Sequence, residues 1–336
     1  MSTTRQLGRN GPTVSGIGLG LMGLSTAYPP VPTEEQTFAL LDKAIELGCT
    51  FWDSSDVYGD NSERLKAYFE KTGNRDKVFL CTKFGITFGA DGSFTSQGDA
   101  KYVRSATEKV LGRLGLPYVD LLYQHRVDPA TPIEITVGAM AELVKEGKVR
   151  HLGLSECSAA TLRRAHAVHP IAAVQVEYSP FALEIEENDL LKTCRELGVA
   201  IVAYSPVGRG LLTGQIRSRA DFDPTDFRAH LPRFSEENFD KNLALVDKFA
   251  ELAKKRGVPV GQFTLAWIAS QGKDIISIPG TTKVSRLEEN FGALKVEVTK
   301  EEDKQIREIL TTLEGGRYPE SMSGPYLYGD TPALNA

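Results

Sequence analysis

The sequence is poor in the features that mark several function classes. It has only four cysteines in 336 residues, Cys49, Cys81, Cys157 and Cys194, scattered without CxxC pairing. In a chain this long they read as reduced, buried, small hydrophobes, not as a disulfide framework. Apolar runs of membrane-spanning length are lacking, so no membrane partner is expected. The opening stretch MSTTRQLGRNGPTV holds no apolar core of signal-peptide length, and cytoplasmic location is the default expectation. A cationic surplus is also lacking. The formal net charge of -5 argues against a nucleic-acid partner, although a few local cations suffice to hold the phosphates of a dinucleotide. The early glycines, GIGLGLMG, miss the GxGxxG spacing and run into the proline-rich PPVPT. That counts against a doubly wound Rossmann fold.

What remains is an ordinary globular composition, 41% hydrophobic and 25% charged, with a strand–loop–helix rhythm. Eight apolar runs read as strands: SGIGLGLM, TFWDS, VFLCTKFG, VDLLYQHR, VRHLGLSE, AAVQVEYS, VAIVAYSP and DIISIPG. Helix-like stretches alternate with them. Thr33 with Gln36 predicts a capping box, and Ser62 is expected to open the next helix. Gly48, Gly115, Gly147, Gly198 and Gly257 mark helix ends. Near-continuous apolar strands between amphipathic helices predict a parallel sheet covered on both faces. Eight such units fit an α/β fold of the closed (β/α)8 TIM-barrel type, one domain over residues 1–336, with an extra C-terminal helix and a tail. Two segments break the rhythm. Residues 208–236 form a long polar loop, and the tail after TKEEDKQIREILTTLE is rich in Gly, Pro and Tyr and is expected on the surface, with its aromatic residues able to reach the barrel mouth.

In such a barrel chemistry belongs at the C-terminal strand ends. Asp53 ends the second strand, with Tyr58 in the loop after it. Lys83 ends the third and His125 the fourth. Each follows an apolar run and should not be buried unpaired. Taken singly, each has a bland reading: a capping Asp, a structural ion pair, a core His, a loop aromatic. Converging on one mouth, they make a proton-donating set. A nearby ammonium lowers a phenol's pKa from its usual value near 10, Asp53 holds that ammonium, and His125 donates to a substrate oxygen. The set suits protonation of an oxygen that gains charge as hydride adds to a carbonyl, and it needs no metal.

The runs DSSDVYG, CTKFG and YQHR resemble the catalytic segments of the aldo-keto reductases, above all the long-loop, NADPH-dependent members related to pyridoxal reductases and potassium-channel beta subunits. The resemblance extends from GIGLGLMGLS to SRLEENFGAL. It implies a barrel that binds a nicotinamide cofactor, with Tyr58 as general acid, Lys83 and Asp53 tuning it, and His125 orienting the carbonyl. It places the backbone of Gly20, Leu21 and Met22 beside the nicotinamide, Ser155 and Gln175 on its carboxamide and Tyr204 against its ring. Glu156 stands where the family usually has Asn. Arg286 matches the grip on the adenosine 2′-phosphate, with Lys283 and Thr281 as added donors and Glu289 and Asn290 on the adenine. Gly280 stands where the family often has Lys. A guanidinium on a phosphate dianion favours NADPH over NADH.

The long loop, with Arg209, Arg217, Arg228 and Arg233, is expected to fold over the pyrophosphate, where Ser205, Leu211 and Gly214 supply contacts; a solvated, mobile loop is the equal alternative for any single arginine. Substrate-lining candidates are Trp52 and Arg126, then Met22, Phe84, Tyr178 and Tyr326. The expected reaction is reduction of an aldehyde or ketone, a small-molecule carbonyl partner. The resemblance keeps one alternative, an NADPH-binding regulatory subunit with slow turnover. A wider rival is a barrel that uses Lys83 for Schiff-base chemistry.

Overall fold

The computed structural model describes residues 3–89, 94–320 and 326–334. Eight parallel strands form one sheet: β1 (Leu19–Gly20), β2 (Phe51–Asp53), β3 (Phe79–Phe84), β4 (Val119–Gln124), β5 (Val149–Ser155), β6 (Ile171–Glu177), β7 (Ala200–Tyr204) and β8 (Ile275–Ser277). Each pairs with its neighbours in chain order, from β8 to β1. Parallel bridges from Ile17 to Ser277 and from Gly20 to Gly280 join the two edges. The sheet thus curls into the predicted barrel, and all eight strands fall where the apolar runs lie. Between them run α1 (Glu34–Leu47), α2 (Asn61–Thr72), α3 (Ala100–Leu114), α4 (Ile133–Lys145), α5 (Ala159–Val168), α6 (Leu190–Leu197) and α7 (Phe239–Lys255). α8 (Val260–Ser270), α9 (Val284–Gly292) and α10 (Lys300–Ile309) complete the helices used below.

The period-2 alternation of each strand decides what faces the mouth. Phe51, Cys81, Leu121, Tyr123, Ala173, Ala200, Val202 and Ile276 pack inside the barrel, and Leu7 and Val14 of the N-terminal hairpin join them. Asp53, Lys83, His125, Gln175, Glu177 and Tyr204 continue those same inward rows toward the C-terminal ends. Gly18 also lies in an inward row: a Cβ there would sit 2.6 Å from the Phe51 ring, so the strand can pass only as glycine. The intervening residues, Trp52, Leu80, Leu122, Val174 and Ile201 among them, face the helices.

Some local expectations hold and others do not. The Thr33–Gln36 capping box forms, and Gly48, Gly115, Gly147, Gly198 and Gly257 all take positive φ at helix ends. Ser62, however, caps nothing: α2 begins at Asn61, and the Ser62 hydroxyl is buried without a hydrogen-bond partner. α8 escaped the sequence reading because Gly261 and Phe263–Ala269 are all buried. A helix apolar all round has no amphipathic stripe to find. Residues 208–236 are not structureless either; they fold into four short 3-10 turns, Gly208–Thr213, Arg219–Asp221, Phe227–His230 and Pro232–Phe234.

Candidate active site

Asp53, Tyr58, Lys83 and His125 meet at the C-terminal mouth. The Lys83 ammonium carries three hydrogens and has three acceptors: Asp53 Oδ1 at 2.5 Å, the Ser54 carbonyl at 2.8 Å and the Tyr58 hydroxyl at 3.2 Å. Asp53 accepts again on Oδ2 from Gln175 Nε2 at 2.8 Å. The Tyr58 loop is held where the Ser25 hydroxyl donates to the Tyr58 carbonyl at 2.6 Å. The His125 ring stands edge-on to the Tyr58 ring, with 6.0 Å between centroids, and its Nδ1 lies 3.1 Å from Ser55 Oγ.

Electrostatics fix the protonation states. Burial lowers the Lys83 pKa, but Asp53 and Tyr58 outweigh it, so the net direction is up and the group stays an ammonium. With every hydrogen engaged, it has no lone pair to attack a carbonyl, which removes the footing of the Schiff-base rival. Burial pushes the Tyr58 phenol up, and Asp53 adds to the rise. Lys83 and Arg126 pull it down only in part. The lowering expected from Lys83 is thus real as a contribution and overturned as a net effect. Burial, then Lys83 and Arg126, hold His125 well below its usual value, as a neutral imidazole.

The other half of the mouth carries the residues assigned to a cofactor. Ser155 and Gln175 are register partners on β5 and β6, and Glu177 pairs with Tyr204 across β6 and β7. After β8 comes Gly280, whose added Cβ would lie 3.2 Å from the Gly20 carbonyl. A side chain there would need the Gly20 carbonyl to give by a few tenths of an ångström. Thr281 closes a tight turn onto the Lys283 amide at 3.1 Å, and Arg286 opens α9, hydrogen-bonded to the Gln215 side chain. Glu289 and Thr213 both close on Gly261, where an added Cβ would lie 3.3 Å from the Glu289 carboxylate and 3.7 Å from the Thr213 side chain. Ser155, Gln175, Tyr204 and the start of α9 therefore form one arc along consecutive strand ends, hydroxyl and amide at one end and a cation at the other. That donor set fits an amide-bearing ring and a phosphate, so a nicotinamide dinucleotide is chemically compatible with it.

Several assignments do not survive. Trp52 is fully buried on the helix side, its indole donating to the Cys49 carbonyl at 2.8 Å. Phe84 and Tyr178 belong to the same outer layer, Tyr178 donating to Glu186 at 2.6 Å. None of the three lines the mouth; strand parity turns them outward. Leu211 buries its side chain, so only its backbone is free for a contact. The loop arginines are engaged: Arg209 with Glu177 at 3.2 Å, Arg217 with Asp247 at 2.6 Å, Arg228 with Asp226 at 2.7 Å and Arg233 with the Gly315 carbonyl at 3.2 Å. They anchor the loop. Arg126 does remain at the mouth, bridging the His125 carbonyl at 2.7 Å and Ser155 Oγ at 3.3 Å. Met22 is half-buried on the turn after β1, and Tyr326 packs on Phe94 at 4.4 Å between centroids.

Sequence reasoning missed the partner of Glu156. Arg317, from the tail, is 5% exposed and donates to both oxygens of Glu156, at 2.9 and 3.2 Å. Tyr204 donates to the same carboxylate at 2.8 Å and the Glu177 amide at 3.1 Å. Tyr318 follows, taking a hydrogen bond from Arg209 at 2.7 Å. The tail is thus bound across the mouth at these points. The departure from Asn was itself the missed signal, because a buried carboxylate requires a cation. Burial pushes the Glu156 carboxyl up, but Arg317 and Arg126 outweigh it and hold it below its ordinary value. The pair therefore stabilises the fold at neutral pH, and that contribution fades as acid protonates Glu156. Arg317→Met, which strands the carboxylate, is expected to cost about 3–5 kcal/mol. Thermal unfolding at neutral pH checks this; an unchanged Tm would mean that the pair is not a structural clasp.

Among the described residues no His, Cys, Asp and Glu group could hold a metal ion, and no helix is long and apolar enough to cross a membrane.

The barrel fold is joined by sequence relatives that support an oxidoreductase class. Residues 16–311 match the model of the aldo/keto reductase family. The chain is 53% identical to the aldo-keto reductase str7 of Strobilurus tenacellus over 313 residues, 91% of each chain. It is 47% identical to the aldo-keto reductase yakc [NADP(+)] of Schizosaccharomyces pombe over 98% of each. Among solved structures, the glycerol dehydrogenase AKR11B4 of Gluconobacter oxydans superposes with a TM-score of 0.82 at 26% identity, covering 95% of this chain and 98% of that one. The thermostable aldo-keto reductase Tm1743, in complex with epalrestat, gives 0.74 at 28% identity, over 92% of this chain and 100% of that one. This chain belongs to the aldo/keto reductase family.

Proposed function

We propose that the protein reduces aldehydes, and ketones that fit the mouth, to alcohols at the expense of NADPH, with Tyr58 as the general acid. The observation that carries this reading is the saturated Lys83 ammonium, which spends one hydrogen on the Tyr58 hydroxyl and one on Asp53. The phenol is protonated at neutral pH and sits beside a fixed positive charge. As an oxygen near it gains negative charge, the proton on Tyr58 is drawn toward that oxygen, and Lys83 stabilises the phenolate left behind. Asp53, clamped by Gln175, keeps the ammonium in place. His125, neutral and edge-on to Tyr58, orients the substrate oxygen. NADPH, when bound, supplies the hydride. The alcohol product can be reoxidised by the reverse path.

The arc from Ser155 and Gln175 through Tyr204 to Arg286 is the proposed cofactor track, and the pombe relative's name carries NADP(+). Arg286→Ala is expected to weaken NADPH binding about 10- to 100-fold, the worth of charge-assisted hydrogen bonds to a phosphate, and NADH far less. Titration of both cofactors checks this; equal weakening would remove the 2′-phosphate assignment. Substrate turnover is tested by following NADPH absorbance with aromatic, aliphatic and pyridoxal-like aldehydes. Consumption with at least one supports the reading. Tight NADPH binding with no consumption would favour a regulatory subunit instead.

A further inference from the structure

The proposed role of His125 depends on which ring nitrogen carries its proton. Nδ1 lies 3.1 Å from Ser55 Oγ, while Nε2 makes no hydrogen bond to a described residue. Ser55 Oγ lies equally 3.1 Å from Asp56 Oδ1, and it accepts from the Val57 amide at 3.4 Å. A serine hydroxyl has one hydrogen. It can serve Asp56 or His125, not both.

When Asp56 is ionised, the hydroxyl favours the carboxylate, because a charge-assisted hydrogen bond is the stronger of the two. His125 must then give its own Nδ1 hydrogen to Ser55, and Nε2 is left as a bare acceptor. That tautomer cannot donate to a carbonyl oxygen. When Asp56 is protonated, the direction reverses. The carboxylic acid donates to Ser55 Oγ, Ser55 donates to Nδ1, and Nε2 carries the hydrogen.

We propose that Ser55 and Asp56 are positioning residues that form a proton relay setting the tautomer of His125, so that His125 donates to a substrate oxygen when Asp56 holds a proton and accepts when it does not. The step balances. Nε2 takes one proton from solvent at the mouth, the Nδ1 hydrogen passes to Ser55 Oγ, and the Ser55 hydrogen passes to Asp56. One proton is gained overall and no other bond changes. The role given to His125 rests on the carbonyl-reductase reading; the relay itself does not.

The surroundings place the switch in a useful range. Burial pushes the Asp56 carboxyl up to about 6, against the opposing pull of Ser55, Lys83, the Val57 amide and Arg113. Lys83 faces it from β3. Arg113 and Tyr102 face it from α3, where Arg113 also donates to the Asp56 carbonyl at 2.7 Å and to Glu63 of α2 at 2.7 Å. His125 faces the relay from β4 and stays neutral, so a change at this site is a tautomer change and not ring protonation.

The direct test is 15N NMR of histidine-labelled, ligand-free protein, titrated from pH 5 to about 8, with His125 assigned from the spectrum of His125→Asn. The expected result is the Nε2–H form at the acid end and the Nδ1–H form at the alkaline end, with a midpoint near the Asp56 value of about 6. In Asp56→Asn nothing at position 56 titrates, so the tautomer should no longer depend on pH. Ser55→Ala should behave likewise, and Ser55→Thr should restore the switch. In turnover, reduction should fall about tenfold as pH rises through the midpoint in the wild type, and that inflection should vanish in Asp56→Asn. A single His125 tautomer across the whole range, or an unmoved midpoint in Asp56→Asn, overturns the relay. Because the spectra need neither cofactor nor substrate, absence of NADPH consumption would count against the reductase reading alone.

Discussion

Tyr58→Phe is expected to lower turnover about 10²–10⁴-fold while leaving NADPH affinity within a factor of about two. The substitution removes one oxygen. It deletes the proposed acid and one acceptor of Lys83, but the ring keeps its place against His125 and under the Lys83 ammonium, 4.8 Å from the ring centroid. Lys83 retains Asp53 and the Ser54 carbonyl, so the fold should hold. None of Ser155, Gln175, Tyr204 or Arg286 is hydrogen-bonded to Tyr58 among the described contacts, which is why binding should survive. Steady-state kinetics beside a fluorescence titration of NADPH separate the two effects. Turnover within tenfold of wild type would remove Tyr58 as the acid.

Lys83→Met should remove activity to a similar extent and also destabilise the fold by about 3–5 kcal/mol. Lys83 is fully buried and Asp53 is 2% exposed. Without the ammonium, Asp53 keeps only the hydrogen bond from Gln175, in a site where burial already pushes its carboxyl up. The double variant Asp53→Asn with Lys83→Met leaves no unpaired charge. It should regain most of the lost Tm yet stay inactive, because stability needs the charges balanced while the chemistry needs the ammonium itself. Thermal unfolding of the single and double variants, with activity measured on each, checks this. A double variant no more stable than Lys83→Met would contradict the ion-pair account.

How much was legible in the sequence follows from what each residue's position depends on. Asp53, Lys83 and His125 were legible because a strand end following an apolar run fixes both depth and parity. The same parity, applied more strictly, also rules out Trp52 and Phe84. Trp52 is adjacent to Asp53 and so must point the other way, and Phe84 stands in that relation to Lys83. The loop arginines were not legible. A guanidinium's partner can lie far along the chain, as Glu177 does for Arg209, and composition says nothing of it. Arg317 was half legible: Glu156 announced the need for a cation but not its source, which sits 161 residues on. The Tyr58 pKa was misjudged in sign because a sequence reveals a neighbouring lysine but not the depth of burial that outweighs it.

The account rests on hydride passing from a nicotinamide to a carbonyl carbon beside Tyr58. The most direct test is a single turnover with NADPH deuterated at the transferring position of the nicotinamide ring, using an aldehyde that supports consumption, followed by mass spectrometry of the alcohol. The account predicts one deuterium in the wild-type product, bound to the former carbonyl carbon, and almost no product from Tyr58→Phe in the same time. An alcohol without deuterium at that carbon, or label transfer undiminished in Tyr58→Phe, would contradict it.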